Sequence, residues 1–126
     1  MKLTEICYDG HDDHIITEEL LYEMARVKPK DSGIRYIIFI STKEYTKQQH
    51  WARIKVSNIV GTFSSSDNFV VSVSKNPKVI AGTPKIKEDE LNDIFDWIIL
   101  NYAPLIKYWN DEYESDSEVY NDLKKI

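Results

Sequence analysis

One cysteine, Cys7, is all the sulfhydryl chemistry in 126 residues. A disulfide within the chain and a multi-thiolate metal site are therefore both excluded. With only Lys2 near it in sequence, Cys7 reads as a core residue, not as a nucleophile. Glycine is as sparse: the four glycines stand at 10, 33, 61 and 82, too scattered to build a phosphate-cradling loop. Long apolar runs are missing too. The longest, Tyr36 to Ile40, is far short of a bilayer, and no basic-then-apolar leader opens the sequence. These shortages point to a reducing cytoplasm and away from export or membrane insertion. With no repeat, low-complexity tract or linker, residues 1–126 read as a single domain.

What is present is aromatic and sharply segregated in charge. Eight tyrosines and three tryptophans supply large apolar area with polar handles, suited to a small core or an interface. The net charge of −5 hides three blocks. Residues 1–24 carry one basic and seven acidic side chains, residues 25–87 carry 12 basic against three acidic, and residues 88–126 carry three basic against 11 acidic. Such asymmetry speaks of partners and steering, not of fold. It has two readings: acidic helices neutralising a basic sheet within one molecule, or a basic middle that faces a polyanion.

Hydrophobic periodicity gives the elements. Thr17 as N-cap, Glu18 and Glu19 in a first turn, and Leu20, Leu21, Met24 and Val27 at helical spacing predict a helix over 16–27, ended by Lys28-Pro29. The stretch IRYIIFI (34–40), β-branched and aromatic, predicts a strand covered on both faces. An exposed loop, STKEYTKQQ, follows. Residues 51–57 then alternate, with Ala52, Ile54 and Val56 on one side and Trp51, Arg53, Lys55 and Ser57 on the other. Gly61 marks a bend. FVVSVS (69–74) returns as a hairpin partner, and residues 78–81 suggest a short edge strand. The period then changes to helical, with Leu91, Ile94, Phe95, Ile98 and Tyr102 on one face. Pro104 is expected either to kink that helix or to open the next, and a last helix is expected over 118–125. The plan is α+β and two-layered: an antiparallel meander of three to five strands, an N-terminal helix, and C-terminal helices on one face.

Few constellations suggest chemistry. His11-Asp12-Asp13-His14 lacks the further ligands a metal site needs and reads as a solvated loop. The acids 88–90, Asp93 and Asp96 suit a helix start for dipole reasons, with a two-carboxylate site as the sharper alternative. Trp97 and Trp109 read as core or interface. Nothing calls for a cofactor or a metal. The best binding candidates are Lys43, Lys47, His50, Trp51, Arg53 and Lys55. An aromatic beside two cations on one strand face can stack a base and neutralise phosphates, or grip an acidic protein. The alternative is that the Arg53 and Lys55 stems lie across apolar sheet surface. His50 is a candidate acid or base for RNA cleavage, without a second base fixed by the sequence.

Several stretches together carry a family resemblance: MARVKPKDSG, IRYIIFI, HWARIKV, VSVSKNPKVIAG and IFDWIILNYAPLIKYWNDE, spanning residues 24–112. Their order is similar to a family of small bacterial, phage and mobile-element proteins without an assigned function. That family carries His-x-x-Pro-Arg-Ile-Lys-Val, then an Asn-Pro-Lys turn, then Trp-Asn-x-Glu. Arg53, Ile54, Lys55 and Val56 match in register, with Ala52 in the place of proline and His50 one residue nearer the arginine than in that pattern. Asn76, Pro77, Lys78, Trp97, Asn101, Leu105, Trp109, Asn110 and Glu112 match as well. A remoter likeness is to a toxin–antitoxin-associated domain marked by Pro-Pro-His-x-His-Val, of which the prolines and second histidine are missing here.

The resemblance implies a defence or counter-defence setting and brings no reaction with it. The expectation is therefore a non-enzymatic binding or inhibitor protein that engages nucleic acid or a nucleoprotein effector, for example a CRISPR-type nuclease. Its contact would be the basic strand face or, as a polyanion mimic, the acidic C-terminal helices. A toxin–antitoxin component, including a small ribonuclease using His50, is the alternative. A homodimer seam through Tyr108, Trp109, Tyr113 and Tyr120 is a further expectation.

Overall fold

The strand-forming segments pair strictly in sequence order. A computed structural model describes residues 25–42 and 52–126. Its five-stranded antiparallel sheet has the order β1-β2-β3-β4-β5, with β1 Ala25–Val27, β2 Tyr36–Ile40, β3 Arg53–Val60, β4 Asn68–Ser72 and β5 Val79–Gly82. The one-turn helix α1 (Pro29–Ser32) links β1 to β2. Helices α2 (Glu88–Leu100), α3 (Tyr102–Trp109) and α4 (Asp116–Asp122) follow the sheet. The α+β meander and its C-terminal helices are as the periodicity predicts.

One expectation fails at its C-terminal end. Ala25–Val27 is not the last turn of a helix but strand β1, with Arg26 opposite Phe39 and Val27 opposite Ile38. Pairing with the β-branched β2 overrides the weak helical preference of three residues. The rest of the expected N-terminal helix lies outside the described residues. The final helix also begins two residues earlier than expected, because Ser115 stands at the N-cap and Asp116 enters the first turn.

β2 is buried along its whole length. On one side of the sheet, Val27, Ile38, Ile40, Ile54, Val56, Phe69 and Val71 join Ile94, Trp97, Ile98, Leu105, Tyr108 and Val119 of the helices in one core. Pro104 falls in the first turn of α3, the second of its two expected places. Between α2 and α3 sits Asn101, fully buried. Its side-chain amide donates to the carbonyls of Trp97 and Lys124, both at 3.0 Å, and its oxygen accepts from the Lys124 N–H at 2.6 Å. A single polar side chain thus ties the helix junction to the segment after α4.

The C-terminal helix also closes one edge of the sheet. The Tyr120 hydroxyl accepts from the Arg26 N–H at 3.0 Å and donates to the Arg26 carbonyl at 2.9 Å. Both main-chain groups at the middle of β1 are thereby satisfied.

Gly82, at the end of β5, has φ +76, and a Cβ there would stand 2.6 Å from the Asn68 carbonyl oxygen and 2.8 Å from the Phe69 Cα. Gly61 has φ +84 but open space around it. Both positions favour glycine, yet only Gly82 has main chain in the way. Gly82→Ala is expected to cost about 1–3 kcal/mol and clearly more than Gly61→Ala. Urea unfolding of the two variants side by side measures the difference, and equal losses would mean that the close approach carries no cost.

Candidate functional site

Strand β3 places its alternating side chains as expected, with Ile54 and Val56 in the helix-covered core and Arg53 and Lys55 on the other side. The surroundings of those two cations differ from a solvent-washed face. Lys55 stands between Phe39 of β2 and Val70 of β4, and Arg53 is opposite Ser72. Arg53 is 4% and Lys55 5% exposed, and Ile37, Phe39, Val70 and Ser57 around them are buried too. Each takes part in interactions within the fold, as deeply placed cations require. The Phe63 ring stands edge-on to Phe39 at 4.5 Å, and the Arg26 guanidinium lies 5.6 Å from the Phe39 centroid. Around Arg53 and Lys55 the second side of the sheet is therefore enclosed, whereas Arg26 is exposed and Phe63 half-buried. Lys43, Lys47, His50 and Trp51 lie outside the described residues, as do Cys7, His11 and His14.

The acidic block forms the opposite display. Every acid from Glu88 to Asp122 is exposed except Glu90, which is half-buried. Some have local duties: Asp116 accepts from the Tyr108 hydroxyl, Asp122 from the Tyr113 hydroxyl, and Glu118 from the Glu114 N–H. Asp93, Asp96, Glu112 and Glu114 have no ion pair or side-chain hydrogen bond among the described residues, so their charge faces water. Of the aromatics expected at a seam, Tyr108 is buried, while Tyr113 and Tyr120 spend their hydroxyls on partners within the chain.

Glu90 is bound into a clamp. Its carboxylate meets Arg35 Nε at 2.7 Å, accepts the Tyr36 hydroxyl at 2.9 Å and accepts the Lys87 N–H at 3.2 Å. Partial burial pushes its pKa up, but the Lys87 N–H, Tyr36 and Arg35 outweigh that and hold it below the ordinary value. A general acid at neutral pH needs the opposite shift, so Glu90 serves as an anchor between α2 and the start of β2. Asp67 is likewise held low by the Asn58 amide and by Lys85 at 3.1 Å. Both carboxylates regain ordinary values on unfolding. Their stabilisation is thus present above the ordinary carboxylate range and lost as pH falls through the depressed folded values. Glu90→Gln is expected to flatten this acid limb, read as the thermal midpoint against pH. An unchanged acid limb would show that the clamp is not linked to folding.

Among the described residues no group of three or more His, Cys, Asp or Glu is arranged to hold a metal, and no helix is long and apolar enough to cross a membrane. A feature not singled out by the sequence reading lies along β5. The stretch 68–87 has no acid, and its lysines, Lys75, Lys78, Lys85 and Lys87, are all exposed. The signal was present in the acid-free run, but only the edge position of β5 gives it meaning. Compared with protein-family models, with curated proteins and with solved structures, the chain matches none.

Proposed function

We propose that this chain is a non-catalytic binding protein of the inhibitor type, whose acidic helical layer occupies a positively charged, nucleic-acid-binding surface of an effector protein. The observation that carries the reading is the inversion of the charge display: Arg53 and Lys55 are enclosed, while the acids of α2 other than Glu90 and those of residues 111–122 are exposed. An array of fixed carboxylates on a folded scaffold attracts a basic groove at long range and fits it without ordering a flexible polyanion. The phage or mobile-element defence setting rests on the resemblance of residues 24–112.

The test is affinity capture from a nuclease-treated host lysate, with the wild-type chain and with a variant carrying Asp93→Asn, Asp96→Asn, Glu112→Gln and Glu114→Gln. These side chains are exposed and have no hydrogen-bond or ion-pair partner among the described residues, so the fold is expected to persist. The wild type should capture a basic nucleic-acid-binding protein that salt releases, and the variant should lose it. Capture that disappears on nuclease treatment, or that the variant retains in full, refutes the acidic-face reading.

A further inference from the structure

The two edges of the sheet are not equivalent. Edge β1 is three residues long, and Tyr120 occupies the main-chain groups at its centre. Edge β5 pairs with β4 alone among the described strands. Its burial alternates, with Val79 and Ala81 half-buried and Ile80 and Gly82 exposed. Ile80 is 41% exposed, which leaves an apolar side chain on an edge that no further described strand pairs with. Beside it runs a groove of ≈ 340 Å³ lined by Ser72, Val73, Ser74, Asn76, Lys78 and Ile80.

The charge around this edge is of one sign. Lys85 is paired with Asp67, and the Lys75 ammonium lies over the Tyr102 ring at 5.7 Å. Lys78 and Lys87 have no ion-pair partner among the described residues, and no acid lies in the sequence between Asn68 and Lys87. We propose that β5 is a docking edge for an extended acidic segment of another protein, which adds to the sheet as a further strand. Its main chain would pair with β5, alternate acids would meet Lys78 and its neighbours, and an intervening apolar side chain would cover Ile80.

Charge selects the occupant. Antiparallel pairing of β5 with a second copy would crowd the lysines of both copies along one seam with no acid between them, and such edge charges guard sheets against self-association. Single-stranded nucleic acid would want an aromatic platform, and the only ring in the described patch, Tyr102, is half-buried beneath Lys75. The proposal is independent of the acidic helical layer, so the four-fold neutralised variant above should bind at β5 as the wild type does.

The experiment uses the full chain and fluorescence anisotropy. The probe is a labelled peptide alternating glutamate and valine. It is compared with the same peptide N-methylated at every second amide, and with a labelled oligouridylate. Methylation keeps the charge and removes the N–H donors of one strand edge. The parent peptide should bind, and methylation should weaken it roughly tenfold or more. Lys78→Glu should do the same, and Ile80→Thr, which keeps strand propensity, should weaken it to a smaller degree. Both residues are exposed, and circular dichroism checks the fold; if Lys78→Glu fails to fold, Lys78→Gln replaces it.

Four outcomes overturn the proposal. They are no binding of the parent peptide, equal binding of the methylated peptide, full binding by Lys78→Glu, and displacement of the peptide by oligouridylate.

Discussion

Trp97→Ala is expected to lower the free energy of unfolding by about 3–5 kcal/mol. Trp97 is fully buried in the last turn of α2, in the cluster that joins Phe69 and Val71 of the sheet to Leu105 of α3. No neighbour can fill an indole-sized void without moving a helix off the sheet, so most of the cavity should persist. A domain of this size has about 5–15 kcal/mol of stability, so the variant should be partly unfolded at moderate temperature. The indole Nε1 has no hydrogen-bond partner among the described residues. Trp97→Phe gives up no hydrogen bond and should cost far less than the alanine change. Urea unfolding of the three proteins tests both statements, and a loss under about 1 kcal/mol in Trp97→Ala would mean that the helical layer repacks freely.

Lys55→Glu is expected to cost about 3–5 kcal/mol, although surface charge reversals usually stay within about 0.5 kcal/mol. At 5% exposure, between Phe39 and Val70, the new carboxylate would be desolvated and would lose the interactions that the ammonium makes. Lys78→Glu on the same sheet is the control, since Lys78 is exposed. If urea midpoints of the two variants fall equally little, the enclosure of Lys55 is wrong. The consequence for function is direct: loss of binding after reversal of Arg53 and Lys55 would report unfolding before it reported a lost contact. The exposed acids carry no such ambiguity.

Much of the fold was legible because period and punctuation agreed. FVVSVS and residues 53–57 alternate cleanly, and β3 and β4 pair in that register, with Arg53 opposite Ser72 and Val56 opposite Phe69. The helical period from Leu91 onward placed Ile94 and Ile98 in the core. Ala25–Val27 reads as helix because its spacing continues a helical pattern, and only the partner strand decides otherwise. Alternation also names the side a residue faces without naming what lies over that side. For this reason the side of Arg53 and Lys55 was readable, and their enclosure was not. In sequence Asn101 stands out only through the family resemblance, and Tyr120 only as a candidate for a dimer seam. Their roles depend on Lys124 and Arg26, residues 23 and 94 positions away, a distance at which no local pattern carries information.

On the proposed reading, the acidic helical layer takes the place of nucleic acid on a basic effector. Competition measures this most directly: labelled nucleic acid is bound to the captured effector, and the purified chain is titrated in at physiological salt. The chain should displace the nucleic acid, the Asp93→Asn, Asp96→Asn, Glu112→Gln, Glu114→Gln variant should not, and the chain alone should leave the label unbound. Binding of the labelled nucleic acid by the chain itself, or a ternary complex in place of displacement, would contradict it.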